Sequence, residues 1–344
     1  MPEVRPPPSR QGGMNAIDMH SHFFPREWED LHKRFGGDWP WMKHLGAGKA
    51  MVMMGEKEFR PVYSACWDAA KRLEEMDRDG VDVQVMCSTP VLFAYARPPA
   101  QAQYCARLFN DAGLELAAQG KGRLKTLCQV PLQDTDAACR ELSRAMKSGH
   151  LGVQIGNHVG DRDLDDEGIL TFLQHCAAEG AAVLVHPWDM MGGARTARWM
   201  MGWTVSMPAE TQLSIVALIL GGGFDRLPRS LRICFAHGGG SFAFLLGRLE
   251  NAWHNRDVAR GKSALPPGAY TDRFYVDSAV FDARALRLLV EVMGEERVML
   301  GSDYPFPLGE QRVGKLIRDM QGLDDAARRK LLVENARRFL GLAA

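Results

Sequence analysis

The sequence predicts an α/β fold, a (β/α)8 barrel whose long βα loops form an insertion over the active-site mouth. Three observations predict it. Short β-rich apolar runs recur eight times along the 344 residues. Stretches with helical periodicity separate them. No internal repeat or second apolar core interrupts the series. Strand and helix alternating in this way specify parallel strands with right-handed crossovers, and a barrel of about 250 residues or more can form one unit.

In chain order, strands are expected at 16–20, 81–87, 124–130, 152–155, 182–186, 231–237, 274–278 and 298–303. Helical patterning fills 67–79, 102–118, 135–148, 166–180, 208–221, 241–255, 283–293 and 324–340. Two connections are too long for ordinary loops: 23–65 after the first strand and 187–207 after the fifth. Long βα loops in a compact domain serve as lids or walls, and in a barrel they gather at the catalytic face. Both are rich in Trp, Met and Gly, including Trp39, Trp41, Trp188, Met190, Trp199 and Trp203. Such a lining suits a small, partly apolar substrate, although any one of these side chains serves equally well as packing.

Composition narrows the function. With 46% hydrophobic and 24% charged residues, the chain reads as globular. Lys plus Arg and Asp plus Glu are both 42, so no basic surface points to nucleic acid or to an anionic membrane. The longest apolar run, Ile215 to Leu220, stops at Gly221–Gly223, short of the roughly 20 residues that span a bilayer. Residues 1–14, rich in Pro and Gly without an apolar core, are expected to be a loose tail rather than a secretory signal; 15–344 are expected to be one barrel domain. The seven scattered cysteines form no C-x-x-C and read as reduced thiols of a cytoplasmic protein.

The chemistry gathers at strand ends. The first strand runs into His20-Ser21-His22, the fifth ends at His186, the sixth at His237 and the eighth at Asp303. Alternate residues of an extended segment point the same way, so H-x-H presents two imidazoles to one ion. In a closed barrel the other three arrive at the same mouth, and imidazoles with a carboxylate suit a divalent ion, most simply Zn2+. H-x-H alone is a weak signal; its recurrence with strand-end ligands is a strong one. His32, His44, His150, His175 and His254 lack such spacing and read as solvated or packing side chains, and His158 as a loop residue. The fourth strand carries no Lys or Glu that would bridge two metals, so one ion with an open position for water is expected. Such an ion lowers the pKa of its water to about 7, and a neutral His237 beside it is suited to be the general base.

The segments D-M-H-S-H, H-P-W-D, H-G-G-G and G-S-D-Y-P-F-P together resemble the amidohydrolase superfamily, most closely its decarboxylase branch. Longer stretches (DMHSHFFP, RPVY-x3-W, GVQIGNHVGDRDLD, HPWDMMGG, MPAETQL, CFAHGGGSFAFLLGR and VMLGSDYPFPLGE) carry the resemblance from Asn15 onward. It implies a single Zn2+ held by His20, His22, His186 and Asp303, no organic cofactor, and His237 as an acid/base residue that is not a ligand. It implies a small dicarboxylated enamine semialdehyde as substrate, in tryptophan (kynurenine) catabolism or nitroaromatic degradation. Arg60 matches one carboxylate-binding arginine. Arg248 matches a second, contributed across a homodimer interface. Lys57, Trp203 and Phe306 match positions lining the substrate pocket. Arginine is apt because its planar fork pairs two carboxylate oxygens. A related aromatic-acid decarboxylase, a metal-dependent hydrolase and a metal-binding regulator without turnover are the competing readings.

Overall fold

The computed structural model describes residues 15–342; the expected tail over 1–14 lies outside them. The described strands, in chain order, are β1 (Ile17–Phe23), β2 (Pro40–Gly46), β3 (Lys49–Met54), β4 (Lys57–Tyr63), β5 (Val83–Ser88), β6 (Leu124–Thr126), β7 (Gly152–Gly156), β8 (Ala182–His186), β9 (Arg232–Phe235), β10 (Tyr275–Asp277) and β11 (Val298–Met299). β1 pairs β5 and β5 pairs β6, all in parallel; β7 to β11 form a second parallel run in sequence order. Backbone hydrogen bonds stitch the two runs together. Cys128 N donates to Gly152 O (2.8 Å) and Gln154 N to Cys128 O (2.7 Å) across one seam. Met19 N donates to Leu300 O (2.9 Å) and His22 N to Tyr304 O (2.7 Å) across the other. The ring of eight expected strands is a TIM barrel.

Burial on both faces explains the composition of these strands. β1, β7 and β8 are buried along their whole length, as parallel strands roofed by helices must be. Outer helices begin where an Asp leaves its strand loop: Asp68, Asp134, Asp166 and Asp282 each accept from a first-turn N–H.

The structure corrects several boundaries. The connection expected as a long loop at 23–65 holds an antiparallel meander, with β3 paired to both β2 and β4. Period-two alternation in β3 buries Ala50 and Val52 on one face, Met53 is buried past a register shift, and Gly46-Ala47-Gly48 makes the first turn. The sheet closes over the barrel mouth through a second apolar cluster that includes Phe24, Trp39, Val52, Val62, Phe109 and Phe306. The expected sixth and eighth strands end early, at Phe235 and Met299, because His237 and Asp303 have left-handed backbones (φ 55° and 58°) that no strand tolerates. The helix expected at 208–221 starts earlier, through a wide turn at Gly202–Ser206 that runs into Met207–Leu220. Its 19 residues make it, among the described residues, the one helix long and apolar enough to cross a bilayer by length and composition. Ile215, Leu218 and Ile219 are fully buried in the barrel core cluster.

Candidate metal centre and active site

Four donor residues from three places in the ring converge. His20 and His22 leave β1, His186 ends β8, and Asp303 follows β11; one ligand atom from each lies within 4.8 Å of all the others. His20 Nε2 stands 3.1 Å from His22 Nε2, and His22 Nε2 stands 3.0 Å from Asp303 Oδ1. Donors each about 2.0–2.1 Å from one zinc lie roughly 3.0–4.2 Å apart, so the cluster fits a single divalent ion after slight contraction.

The tautomers support that fit. His20 Nδ1 donates to Asp277 Oδ2 (2.7 Å), and His186 Nδ1 donates to the Pro187 carbonyl (2.7 Å). Both rings, when neutral, therefore turn the lone pair of Nε2 inward. His186 Nε2 is buried and has no hydrogen-bond partner among the described residues, an orphan that a cation would satisfy.

Charge follows the same logic. Burial pushes His22 down to about 4 and His186 well below its ordinary range, so both are neutral and ready to ligate. His20 is also penalised by burial, but the hydrogen bond and charge of Asp277 raise it above its ordinary value. Burial opposes ionisation of Asp303, yet His22 and His237 hold it well below the usual carboxylate range.

His237 stands beside the cluster and outside the ligand group. Its Nε2 is 3.6 Å from Asp303 Oδ2, and neither ring nitrogen has a hydrogen-bond partner among the described residues. Its left-handed backbone opens a run of positive φ values through Gly240. Glycine is required at 301 for a different reason: a Cβ there would come within 2.7 Å of Asp277 Cβ and 2.8 Å of His20 Cβ.

A cavity of about 550 Å3 opens from the cluster. His22, His186 and Asp303 form its floor, while Arg60, Trp188, Met190, Trp203 and Phe306 are among its walls. Arg60 is its one Lys or Arg among the described residues, with Cζ 4.4 Å from the Phe306 ring centroid and 6.0 Å from that of Trp203. Burial lowers the Arg60 pKa, and the charge of Asp303 opposes that shift. Lys57 and Arg248 are not brought to this cavity. Lys57 is exposed at the start of β4 and lines a neighbouring hollow with Asp38, Trp41 and Glu56. Arg248 is exposed on the helix Phe242–Asn255.

Several supporting residues escaped the sequence reading. Asp277, at the end of β10, is one; its strand-end position was the available signal. Beneath the ligands, fully buried Arg72 donates to Gln84 Oε1 (2.7 Å), Ser21 Oγ (3.3 Å) and the His22 carbonyl. Asp18 accepts from Gln84 Nε2 (2.9 Å), Ser302 Oγ (2.6 Å) and Ser302 N (3.1 Å), tying β1 to the segment that carries Asp303. Nothing in the local sequence around Arg72 marks it as inward-facing.

The amidohydrolase family profile matches residues 17–342. The chain is 41% identical over 329 residues to 2-amino-3-carboxymuconate-6-semialdehyde decarboxylase of Dictyostelium discoideum, covering 95% of this chain and 91% of that one. The Caenorhabditis elegans protein of the same name is 30% identical over 378 residues, covering 95% and 94%. The crystal structure of 5-carboxyvanillate decarboxylase from Novosphingobium aromaticivorans, complexed with manganese, superposes with a TM-score of 0.78 at 21% identity, covering 96% and 97%. The chain belongs to the amidohydrolase family, in its decarboxylase branch. It is a carbon–carbon lyase that releases a carboxyl group, and its His/Asp cluster is a divalent-metal site.

His22→Ala or His186→Ala is expected to lower bound metal far below one equivalent, and His237→Ala to leave it nearly unchanged, as read by elemental analysis of the purified proteins. Metal loss in the His237 variant would make that residue a ligand. The raised pKa of His20 gives the pH dependence: in the metal-free protein its proton must leave before Nε2 can bind. Metal affinity is therefore present above that pKa and falls as pH drops through it, with a proton released per ion bound at pH values below it. Calorimetry in buffers of different ionisation enthalpy measures that proton; a release of none would contradict the assignment.

Proposed function

We propose that this enzyme converts 2-amino-3-carboxymuconate-6-semialdehyde to 2-aminomuconate-6-semialdehyde and CO2, using one Zn2+ per subunit, as a cytoplasmic homodimer. The observation that carries the reading is the 41% identity across 95% of the chain to a decarboxylase of that name, joined to a cavity in which one arginine faces the metal cluster. Zinc suits the three imidazoles and one carboxylate; the manganese in a structural relative makes that ion the competitor.

Losing CO2 from a vinylic carbon strands an electron pair in the plane of the double bond. Making that carbon tetrahedral first removes the obstacle, and the chain supplies groups for doing so. The divalent ion, when bound, acts as a Lewis acid at the cavity floor. Arg60 pairs a substrate carboxylate through its planar fork and orients the conjugated chain between the Phe306 and Trp203 rings. His237, with neither ring nitrogen hydrogen-bonded among the described residues, moves the proton: it assists deprotonation of the attacking water or protonates the carbon that bears the departing carboxylate. In either order that carbon gains its new C–H bond first; the electron pair of the breaking C–COO− bond then re-forms the carbon–carbon double bond, neutralising the iminium in one route and expelling the added hydroxide in the other, as CO2 leaves.

The second carboxylate needs another cation. Among the described residues the cavity offers only Arg60, and Arg248 is exposed, as a residue lent to a neighbouring subunit must be. Lys57, which lines the neighbouring hollow, is the further candidate for the substrate's polar end.

Freshly generated substrate is expected to lose its ultraviolet absorbance with one CO2 per molecule, and His237→Ala to slow this by at least about 10²-fold. Turnover of γ-resorcylate or 5-carboxyvanillate in its place would move the enzyme to the aromatic-acid group, and hydrolysis of an amide or lactone would move it to the hydrolases. Arg60→Ala and Arg248→Ala are each expected to cripple turnover, and mixing them to restore part of it, because a mixed dimer holds one site with both arginines. No recovery, with subunit exchange verified by mass spectrometry, would rule out the shared site.

A further inference from the structure

We propose that Asp277 is a positioning residue that sets two parts of the site at once: one carboxylate oxygen orients the metal-facing imidazole of His20, and the other anchors the turn that carries His237. The inference rests on the reading of His237 as the proton carrier and extends it to what holds that residue in place.

Asp277 is fully buried at the end of β10, between the strand that precedes His237 and the one that precedes Asp303. Its Oδ2 accepts a hydrogen bond from His20 Nδ1 at 2.7 Å. Its Oδ1 accepts from Gly238 N at 3.0 Å and from Ala279 N at 3.0 Å. Neither oxygen is left over for another task. The turn it anchors needs an anchor, because His237 holds a left-handed conformation that a side chain with a Cβ adopts only when its surroundings impose it. Gly238 is wedged as well: a Cβ there would lie 2.4 Å from Val280 Cγ1.

A carboxylate is the group this place requires. It offers acceptors on both sides, whereas an amide of the same shape offers one acceptor oxygen and turns an NH2 donor toward whichever donor remains. The close approach permitted by Gly301 brings the backbone against both His20 and Asp277, so the pair has no room to separate and re-form elsewhere. Metal affinity and the placement of the proton carrier therefore share one side chain.

The test uses the zinc-loaded protein with Asp277→Asn and Asp277→Ala, and Val276→Ala as a neighbouring buried control. Zinc affinity is read by competition with a chromophoric chelator, and protection of the Gly238 amide by NMR hydrogen exchange. Zinc binding is expected to weaken roughly 10–100-fold in both Asp277 variants. Gly238 exchange is expected to accelerate at least about tenfold in Asp277→Ala, which has no acceptor left. At saturating zinc, kcat falls in both while KM stays near the parent value. Zinc affinity within about twofold of the parent in folded Asp277→Asn would overturn the proposal. So would unchanged Gly238 exchange in Asp277→Ala, or matching losses in Val276→Ala, which would reduce the effect to general destabilisation. Affinity and exchange are read without substrate, so they stand or fall separately from the choice of substrate.

Discussion

Buried imidazoles can share one cation only if each turns a lone pair toward it, and a lone pair is fixed in direction only when the opposite nitrogen is tied down. The Asp277 carboxylate does this for His20 and the Pro187 carbonyl does it for His186. Without those bonds, the low dielectric around the rings would make them neutral but not oriented. The barrel supplies the remaining condition, since parallel strands in a closed ring deliver their C-terminal ends to one mouth. Arg72 and Asp18 then lock the first strand against the segment bearing Asp303: Arg72 donates to Gln84 and Ser21, and Asp18 accepts from Gln84 and Ser302.

The insertion converts this cluster into a reaction chamber. Its antiparallel sheet brings Arg60 across the mouth, where the guanidinium lies over the Phe306 ring. An arginine in a largely apolar cavity is costly unless an anion joins it, and the nearby Asp303 carboxylate offsets only part of that cost. The carboxylate of the proposed substrate would complete the balance. The wall formed by Trp188 and Met190 is held from behind: buried Glu210 accepts from Met191 N (2.7 Å) and from Asn157 Nδ2 (3.0 Å), so this wall is anchored and is not a free flap.

Much of this was legible in the sequence, for reasons that are local. Fully buried parallel strands must be short and apolar throughout, so β7 and β8 announce themselves, and H-x-H at the end of β1 implies two rings on one side. Residues that act through contacts distant in the chain were hidden. Asp277 reads as an ordinary end to F-Y-V-D-S until the ring closes and places it against His20, 257 residues away in the chain. Arg72 sits in a helix whose charged pattern looks solvated. The meander at β2 to β4 looks like a loop in the sequence because its glycine turns and Trp/Met content mask a short period-two alternation. His237 and Asp303 lie beyond their strand ends since each bends into a left-handed turn, a feature that side-chain identity does not reveal.

The most direct measurement is anomalous diffraction from crystals of the zinc-loaded protein, recorded on both sides of the zinc absorption edge. One peak is expected per subunit, about 2.0–2.2 Å from His20 Nε2, His22 Nε2, His186 Nε2 and an Asp303 oxygen, with His237 outside bonding distance. A zinc ion bound by His237, or one held away from His22, His186 and Asp303, would contradict the account.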